Sequence, residues 1–156
     1  MNSKYNFDCE VFATINDLDP QIKELVQLAK KQTKRSYAPY SNFHVGAALL
    51  LENGEIYLGC NQENASYPEG LCAERVAIHA AATQYPNVAP IALALSTEVL
   101  SDSLIAPCGG CRQVMAQFEV RHEVEMPVIM TNKEGFIYVI PSAMSLLPWC
   151  FDGSVL

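Results

Sequence analysis

The order of apolar patterns along this 156-residue chain predicts an α/β fold, a three-layer α/β/α sandwich with a central mixed five-stranded sheet. One observation behind this prediction is the alternation of short apolar runs with segments of helical spacing. A second is the hairpin signal Asn53-Gly54, which lies between the apolar runs 43–51 and 56–60. A third is the continuous apolar run 90–97, which is typical of a strand buried on both faces.

The N-terminal part of the chain predicts an extension followed by a helix. In the extension, residues 1–18, apolar and mostly polar residues alternate at Tyr5, Phe7, Cys9, Val11 and Ala13, which makes it a candidate edge strand. Asp19 and Pro20 then fit the N-cap and first position of a helix. Apolar residues at helical spacing continue this helix to about Arg35.

The remaining helices and strands follow from the same patterns. Helices are expected over 72–84 and 108–119, with a short one over 143–147, and the last two strands over 127–131 and 136–140. The helix between the hairpin and strand 90–97 resembles a crossover to a central strand, which places helices on both sheet faces. No repeat or linker interrupts the chain, so residues 1–156 are expected to form a single domain.

Composition excludes several classes of function. The chain has 10 Lys and Arg against 17 Asp and Glu, and this net charge of -7 argues against binding a nucleic acid. No apolar run approaches the roughly 18 residues of a membrane span, so no membrane partner is expected. The first residues lack an apolar signal core, which predicts a cytoplasmic protein whose six cysteines serve metal binding or catalysis rather than disulfides.

Three of the cysteines occur in two motifs, Cys72-Ala73-Glu74 and Cys108-Gly109-Gly110-Cys111. Both motifs stand where a helix is expected to begin, and a Cys-x-x-Cys pair places its two sulfurs on one helix face. Three thiolates would leave the fourth tetrahedral position of a zinc ion open to water, as in catalytic zinc sites. Glu74 would then be the carboxylate that handles the protons of that water.

The spacing of Cys72 and Glu74 constrains where the helix starts. Inside a helix, residues two positions apart differ by about 200° around the helix axis. Their side chains could not then face one zinc ion. Cys72 is therefore expected at or near the N-cap. Arg75, three residues after Cys72, would then lie near the sulfur, where it and two helix N-termini offset the negative charge of three thiolates.

Two other interpretations of these motifs remain open on spacing alone. A fourth ligand from Cys9, Cys60, Cys150 or His79 would make a closed, structural zinc site. A redox-active Cys-x-x-Cys is the second alternative. Glu74 favours catalysis, because neither alternative needs a glutamate two residues after the distant cysteine.

Five motifs, in order, resemble the small homotetrameric cytidine deaminases, and the resemblance runs from about Arg35 to Phe151. They are Pro39-Tyr40-Ser41-Asn42-Phe43-His44-Val45-Gly46-Ala47-Ala48, Gly59-Cys60-Asn61-Gln62-Glu63-Asn64-Ala65, Cys72-Ala73-Glu74-Arg75, Pro107-Cys108-Gly109-Gly110-Cys111-Arg112-Gln113, and Leu146-Leu147-Pro148 ahead of Phe151. His44 stands where many relatives have proline, and Trp149-Cys150 are bulkier than the residues usual there.

The resemblance implies a role for each of eleven residues. It implies that Cys72, Cys108 and Cys111 bind Zn²⁺ and that Glu74 is the catalytic proton carrier. The implied substrate-binding residues are Phe43 against the pyrimidine, Asn61 and Glu63 at the ribose hydroxyl, the Ala73 amide at the base carbonyl, Ala65, and Tyr67 and Phe151 reaching a neighbouring subunit's site.

The function implied by the resemblance is zinc-dependent hydrolytic deamination of cytidine and deoxycytidine to uridine and deoxyuridine plus ammonia, a reaction of pyrimidine salvage. The enzyme would be a cytoplasmic homotetramer with a cytidine deaminase-like fold and sites shared between subunits. A blasticidin-type aminoacylnucleoside deaminase is the enzymatic alternative. A non-catalytic, zinc-stabilised interaction domain is the alternative from another class.

Overall fold

A computed structural model describes residues 6, 8–99, 104–133 and 135–153. Its strands are β1 Glu10–Phe12, β2 Val45–Leu51, β3 Ile56–Cys60, β4 Pro90–Thr97, β5 Val128–Thr131 and β6 Ile137–Ile140. Its α-helices are α1 Pro20–Gln32, α2 Ala73–Gln84 and α3 Gly109–His122. Short 3₁₀ turns occupy Ile15–Asp17, Thr33–Arg35, Tyr67–Glu69 and Ala143–Leu146.

The central sheet has six strands in the order β1-β6-β5-β4-β2-β3, so the prediction of five was wrong. The sixth is the candidate edge strand: β1 pairs antiparallel with β6, with Glu10 opposite Val139. This pairing satisfies backbone groups that would otherwise be open along the edge of β6. Tyr5 and Phe7, which belonged to the same predicted strand, lie outside the described residues.

The sheet is mixed, as predicted. Strands β4 and β5 are parallel, whereas β2 pairs antiparallel with both β3 and β4. Strands β3 and β4 therefore run in the same direction on either side of β2, and α2 is the crossover between them. The predicted hairpin forms between β2 and β3, with Gly54 at φ +85° in its turn.

Helices cover both faces of the sheet and confirm the three layers. On one face α1 buries Leu25, Val26 and Ala29 against β2, β4, β5 and β6. On the other face α2 and α3 bury Ala77, Ile78 and Met115 against β2, β4, β5 and β6. Among the described residues, no helix combines the length and apolarity that crossing a membrane requires.

Two glycines let the helices lie directly on the sheet. A Cβ on Gly46 would lie 2.0 Å from the carbonyl oxygen of Ala29 in α1. A Cβ on Gly59 would lie 2.3 Å from the carbonyl oxygen of Ala73 and 2.7 Å from the backbone nitrogen of Ala77, both in α2. Gly59 therefore sets how closely the first turn of α2 approaches β3.

Candidate active site

The sulfurs of Cys72, Cys108 and Cys111 come together at one end of the sheet. All three lie within 4.8 Å of one another, and the Sγ atoms of Cys72 and Cys108 are 3.9 Å apart. None of the residues considered as a fourth ligand joins this cluster in the part of the chain that the structure describes. The six cysteines are all free thiols.

Cys72 and Cys108 each lie at the start of a helix, as predicted. For Cys72 this position follows from its spacing to Glu74. Cys72 is the N-cap of α2 and Cys108 the N-cap of α3, and both have extended backbone angles. Neither side chain caps its own helix, so both sulfurs are available to the cluster. The positive ends of two helix dipoles therefore point at one group of thiols, which favours their ionised form.

The cluster fits a zinc ion. Zinc–sulfur bonds of about 2.3 Å in tetrahedral geometry place two sulfurs roughly 3.8 Å apart, close to the Cys72–Cys108 separation. Three thiols are soft ligands of the kind that zinc accepts. With three ligands from the chain, one tetrahedral position is left for a group from solvent or substrate.

Within the cluster, Cys72 ionises more readily than an ordinary cysteine thiol. Hydrogen bonding from Cys111 lowers the pKa of Cys72 to about 5, with help from the nearby Arg75 guanidinium and the Cys108 thiol, although burial acts in the opposite direction. The same hydrogen bond to the Cys72 sulfur, together with burial, raises the pKa of Cys111. Of Cys72 and Cys111, it is therefore Cys72 that carries negative charge more readily, beside the Arg75 guanidinium.

Glu74 lies in the first turn of α2 and is only 5% exposed. Burial raises the pKa of its carboxyl, and the negative charge of Cys72 adds to this shift. A carboxyl whose pKa is raised exchanges protons more readily near neutral pH. The side chain lies in the same cavity wall as Cys72 and Cys108.

Arg75 braces the loop that leads into the cluster. Its Nη2 donates to the carbonyl oxygen of Gly70 at 3.1 Å. Its Nε is buried without a hydrogen-bonded acceptor. The guanidinium lowers the pKa of Cys72 both by hydrogen bonding to its sulfur and by its positive charge. The nearby thiolates in turn raise the pKa of Arg75, although burial opposes this.

A cavity of about 600 Å³ opens beside the cluster. Of the residues singled out from the sequence, its wall includes Phe43, Asn61, Glu63, Tyr67, Cys72, Glu74, Arg75 and Cys108. Its volume falls in the usual range for small-molecule sites. Further lining residues were not predicted as site residues, among them Ser41, Leu95, Thr97 and Thr131. Of these four, Leu95, Thr97 and Thr131 lie outside the motifs.

Asn61 and Glu63 hold the loop that carries Phe43. Asn61 accepts from the backbone N–H of Val45 at 2.8 Å and donates to the carbonyl oxygen of Phe43 at 2.8 Å. Glu63 accepts from the Ser41 hydroxyl and from the backbone N–H groups of Tyr40 and Ser41. The hydrogen bond from the Ser41 hydroxyl is the main cause of the lowered pKa of Glu63, and the two backbone bonds add to it. The two Asn61 bonds also explain why β2 begins at Val45, two residues later than predicted.

Four predicted site residues do not line this cavity. One is the predicted ligand Cys111, which is fully buried behind the wall. Ala65 is exposed, and Ala73 is fully buried as the first residue of α2. Phe151 is 61% exposed, and its carbonyl oxygen accepts from the Gln113 side chain at 2.7 Å. Within the described residues, the cavity is therefore built without the C-terminal tail.

Zinc deaminases combine three cysteine or histidine ligands with a glutamate that is not a ligand. The sandwich fold, the cysteine cluster and the buried Glu74 place the chain in this class.

The comparisons with known proteins identify the family within that class. Residues 19–126 match the family model described as the cytidine and deoxycytidylate deaminase zinc-binding region. A cytidine deaminase of Sporosarcina psychrophila is 41% identical over 132 residues, which is 84% of this chain and 91% of that protein. A cytidine deaminase of Halalkalibacterium halodurans is 38% identical over 81% of this chain and 91% of its own length.

Solved structures agree with this assignment. The crystal structure of cytidine deaminase from Burkholderia pseudomallei superposes with a TM-score of 0.73 at 42% identity, covering 82% of this chain and 97% of that one. The chain therefore belongs to the cytidine and deoxycytidylate deaminase family, and zinc is the metal that this family's cysteine cluster implies.

Proposed function

We propose that this protein hydrolyses cytidine and deoxycytidine to uridine and deoxyuridine, consuming water and releasing ammonia, as an enzyme of pyrimidine salvage. The observation that carries the proposal is the buried Glu74 carboxyl beside three clustered thiols, in the wall of a cavity large enough for a nucleoside. The family supports the same reaction, because the relatives described above are cytidine deaminases.

Cys72, Cys108 and Cys111 are the proposed ligands of one zinc ion per chain. When bound, zinc would act as a Lewis acid that acidifies a water molecule for attack on the pyrimidine. The two helix N-termini and Arg75 balance the charge of the thiolates, since three thiolates on a divalent ion leave a net charge of -1. Arg75 also holds the Gly70 carbonyl and so fixes the approach to Cys72.

Glu74 is the proposed proton carrier. Its carboxylate takes one proton from the attacking water and delivers it to N3 of the pyrimidine. It then takes the second proton of that water, now on the oxygen bonded to C4, and gives it to the amine, which leaves as ammonia. One group can serve as base and then as acid because burial raises the pKa of Glu74. Leu95 and Pro107 share the cavity wall with Glu74, and Glu74 is itself only 5% exposed.

Phe43, Asn61 and Glu63 are proposed to bind the nucleoside. Phe43 offers its ring to the pyrimidine, while Asn61 and Glu63 meet the ribose hydroxyl. Each amide atom of Asn61 is already used once by the backbone of the Phe43 loop. A carboxamide oxygen has a second lone pair and its nitrogen a second hydrogen, so Asn61 can also bind a hydroxyl.

Ala73, Ala65, Tyr67 and Phe151 complete the proposed substrate contacts. The backbone N–H of Ala73 lies in the first turn of α2, where no carbonyl of the same helix can accept it, and is assigned to the base carbonyl. Ala65 is assigned to the substrate site, and Tyr67 and Phe151 to sites shared between subunits of a homotetramer.

We also propose that the chain is one domain and works in the cytoplasm. The matched region covers residues 19–126, and in the part of the chain that the structure describes no linker separates the sheet from either helix layer. Six free thiols suit a reducing compartment.

Ammonia release with cytidine, deoxycytidine, cytidine monophosphate and a blasticidin-type nucleoside tests the substrate class. We expect turnover of cytidine and deoxycytidine and little with the other two. Preferred turnover of the aminoacylnucleoside would favour the alternative deaminase, and no turnover of any of them would favour a non-catalytic domain.

Glu74→Gln tests the proton carrier in the same assay. The amide matches the carboxyl in shape but cannot accept a proton, so we expect turnover to fall by more than the roughly 10²–10⁴-fold of one acid–base step. Zinc content should be unchanged. A variant with a tenth of wild-type activity would rule out this role for Glu74.

Metal analysis tests the open zinc site. Purified protein should contain one zinc per chain, and Cys60→Ser and Cys150→Ser should retain it, because both residues lie outside the cluster. Cys111→Ser is the matched control and should lose the metal. Loss of zinc from Cys60→Ser or Cys150→Ser would indicate a closed, structural site.

A further inference from the structure

Helix α3 carries two of the clustered cysteines and also holds the C-terminal segment of the chain. Three of its side chains, Arg112, Gln113 and Glu119, make hydrogen bonds to residues between 142 and 151. The helix therefore connects the metal ligands to the tail that ends beyond Phe151.

Glu119 fixes the start of this segment. It is 3% exposed, and its carboxylate accepts from the backbone N–H groups of Ala143 and Met144, both at 2.8 Å, and from the Ser142 hydroxyl at 2.9 Å. A further bond comes from the Met126 N–H at 2.6 Å. Four donors satisfy a carboxylate that would otherwise be costly to bury.

Arg112 holds the next part of the tail. Its Nε donates to the carbonyl oxygen of Pro107 at 2.7 Å, and its Nη1 donates to that of Leu146 at 3.1 Å. Pro107 directly precedes the ligand Cys108, so one guanidinium ties the metal loop to the end of the last 3₁₀ turn.

Gln113 makes the contact at Phe151 itself. Its Nε2 donates to the Phe151 carbonyl oxygen at 2.7 Å, while the ring of Phe151 is largely exposed. The chain reaches Phe151 through Trp149, whose φ of +57° is unusual for a residue with a side chain. The tail is thus held in one particular path, with the aromatic ring presented outward.

We infer that Gln113 is a positioning residue for substrate binding: by fixing the Phe151 backbone, it sets where the Phe151 ring meets the pyrimidine of a bound nucleoside. This inference rests on the proposed function and on the role assigned there to Phe151. A base stacks on an aromatic ring at little entropic cost only if the ring is already in place. Gln113 itself touches the backbone of the tail and not the substrate.

A double-mutant cycle in ammonia release from cytidine tests this inference. Gln113→Glu keeps the size of the side chain but replaces the donor with a carboxylate, so the bond to the Phe151 carbonyl is lost. We expect KM to rise about three- to tenfold, the usual worth of one hydrogen bond, with kcat and zinc content unchanged. Phe151→Ala should raise KM by about five- to a hundredfold.

The diagnostic result is that the effects of Gln113→Glu and Phe151→Ala on KM do not add. In the Phe151→Ala background, Gln113→Glu should change KM by less than about twofold, because there is no ring left to position. Gln113→Lys, which retains a donor, should stay near the wild-type KM. Gln117→Glu, one turn further along the exposed side of α3, is the control for the added charge and should have no effect.

Several results would overturn the inference. They are an unchanged KM in Gln113→Glu, an equal KM increase with and without the Phe151 ring, a Gln117→Glu effect of the same size, and an unchanged KM in Phe151→Ala. If wild-type protein releases no ammonia from any nucleoside, the proposed function fails and this inference fails with it. A normal wild type with an unaffected Gln113→Glu would refute this inference alone.

Discussion

At the scale of single residues, the ionisation of Glu63 depends on its neighbours in the Phe43 loop. The hydroxyl of Ser41 is the main cause of its lowered pKa, and the backbone N–H groups of Tyr40 at 3.0 Å and Ser41 at 3.2 Å add to it. A carboxyl with a lowered pKa keeps its charge, and thus its contacts, as pH falls below the ordinary carboxyl range.

Ser41→Ala should therefore raise the pKa of Glu63 towards that of a free glutamate. In the wild type, the contribution of this carboxylate to folding stability is complete above the pKa that Glu63 has in the unfolded chain. It is lost only as pH falls through the lower pKa of the folded state. In the variant, the loss should begin at a higher pH. A carboxyl-carbon NMR titration of Glu63 measures this directly.

A matched variant distinguishes the effect of the Ser41 hydroxyl on the Glu63 pKa from a general effect of removing a hydroxyl nearby. Ser66→Ala removes a serine hydroxyl from the stretch that follows Glu63, where the side chain forms no cap hydrogen bond, and should leave the Glu63 titration unchanged. An unaltered titration in Ser41→Ala would assign the lowered pKa to the backbone donors instead.

The cluster was predictable residue by residue, whereas the substrate loop was not. Helical periodicity alone requires Cys72 to be an N-cap, because only there can it share a site with Glu74. The bonds from Asn61 to Val45 and Phe43 join residues 16 and 18 positions apart in the chain. No local pattern encodes such contacts, since they depend on how β2 lies beside the end of β3.

At the scale of elements, the position of α2 depends on one glycine. A Cβ on Gly59 would overlap the backbone of Ala73 and Ala77, and backbone atoms cannot move aside as a flexible side chain can. Any larger residue at this position must therefore push the first turn of α2 away from β3, and with it Cys72 and Glu74.

Gly59→Ala should lower stability by about 1–3 kcal/mol, the usual cost of overpacking, and should also weaken zinc binding. Denaturant unfolding and metal analysis measure the two effects. Gly54→Asn is the control: its Cβ would meet no atom within 4 Å, and asparagine tolerates the positive φ of this turn. Full zinc content and wild-type stability in Gly59→Ala would show that α2 has room to shift.

Prediction of elements succeeded for long patterns and failed for short ones. The hairpin and the crossover carry strong signals, whereas β1 has only three residues, Glu10–Phe12, too few to decide between a strand and a loop. Helix α3 runs past its predicted end to His122, because Glu123 stops it in the left-handed conformation at φ +54°. A glycine at this position would have predicted the end of the helix, whereas a glutamate does not.

At the scale of the whole molecule, three exposed aromatic rings favour the proposed assembly of several copies of the chain. Tyr67, Trp149 and Phe151 are 75%, 82% and 61% exposed. Large apolar groups left in water at the surface are typical of surfaces that another molecule covers. Tyr67 lies in the cavity wall, and Phe151 lies outside that wall in its own chain. This arrangement suits a symmetric assembly in which one copy's tail reaches another copy's cavity.

Mixing two impaired variants tests whether sites are shared. Chains with Glu74→Gln lack the proton carrier, and chains with Phe151→Ala lack the ring. A site that combines Glu74 from one chain with Phe151 from another forms only in mixed oligomers. Under conditions that exchange subunits, activity should therefore rise above the average of the two parents.

The matched control mixes Glu74→Gln with the Glu74→Gln/Phe151→Ala double variant, which can form no complete site and should stay inactive. Mass measurement of the mixed species verifies exchange in both experiments. If exchange is complete and activity stays at the parental average, Phe151 acts in its own subunit or in no site. Subunit sharing would then be excluded, while Glu74 and the cysteine cluster would keep their proposed roles, because both lie within one chain.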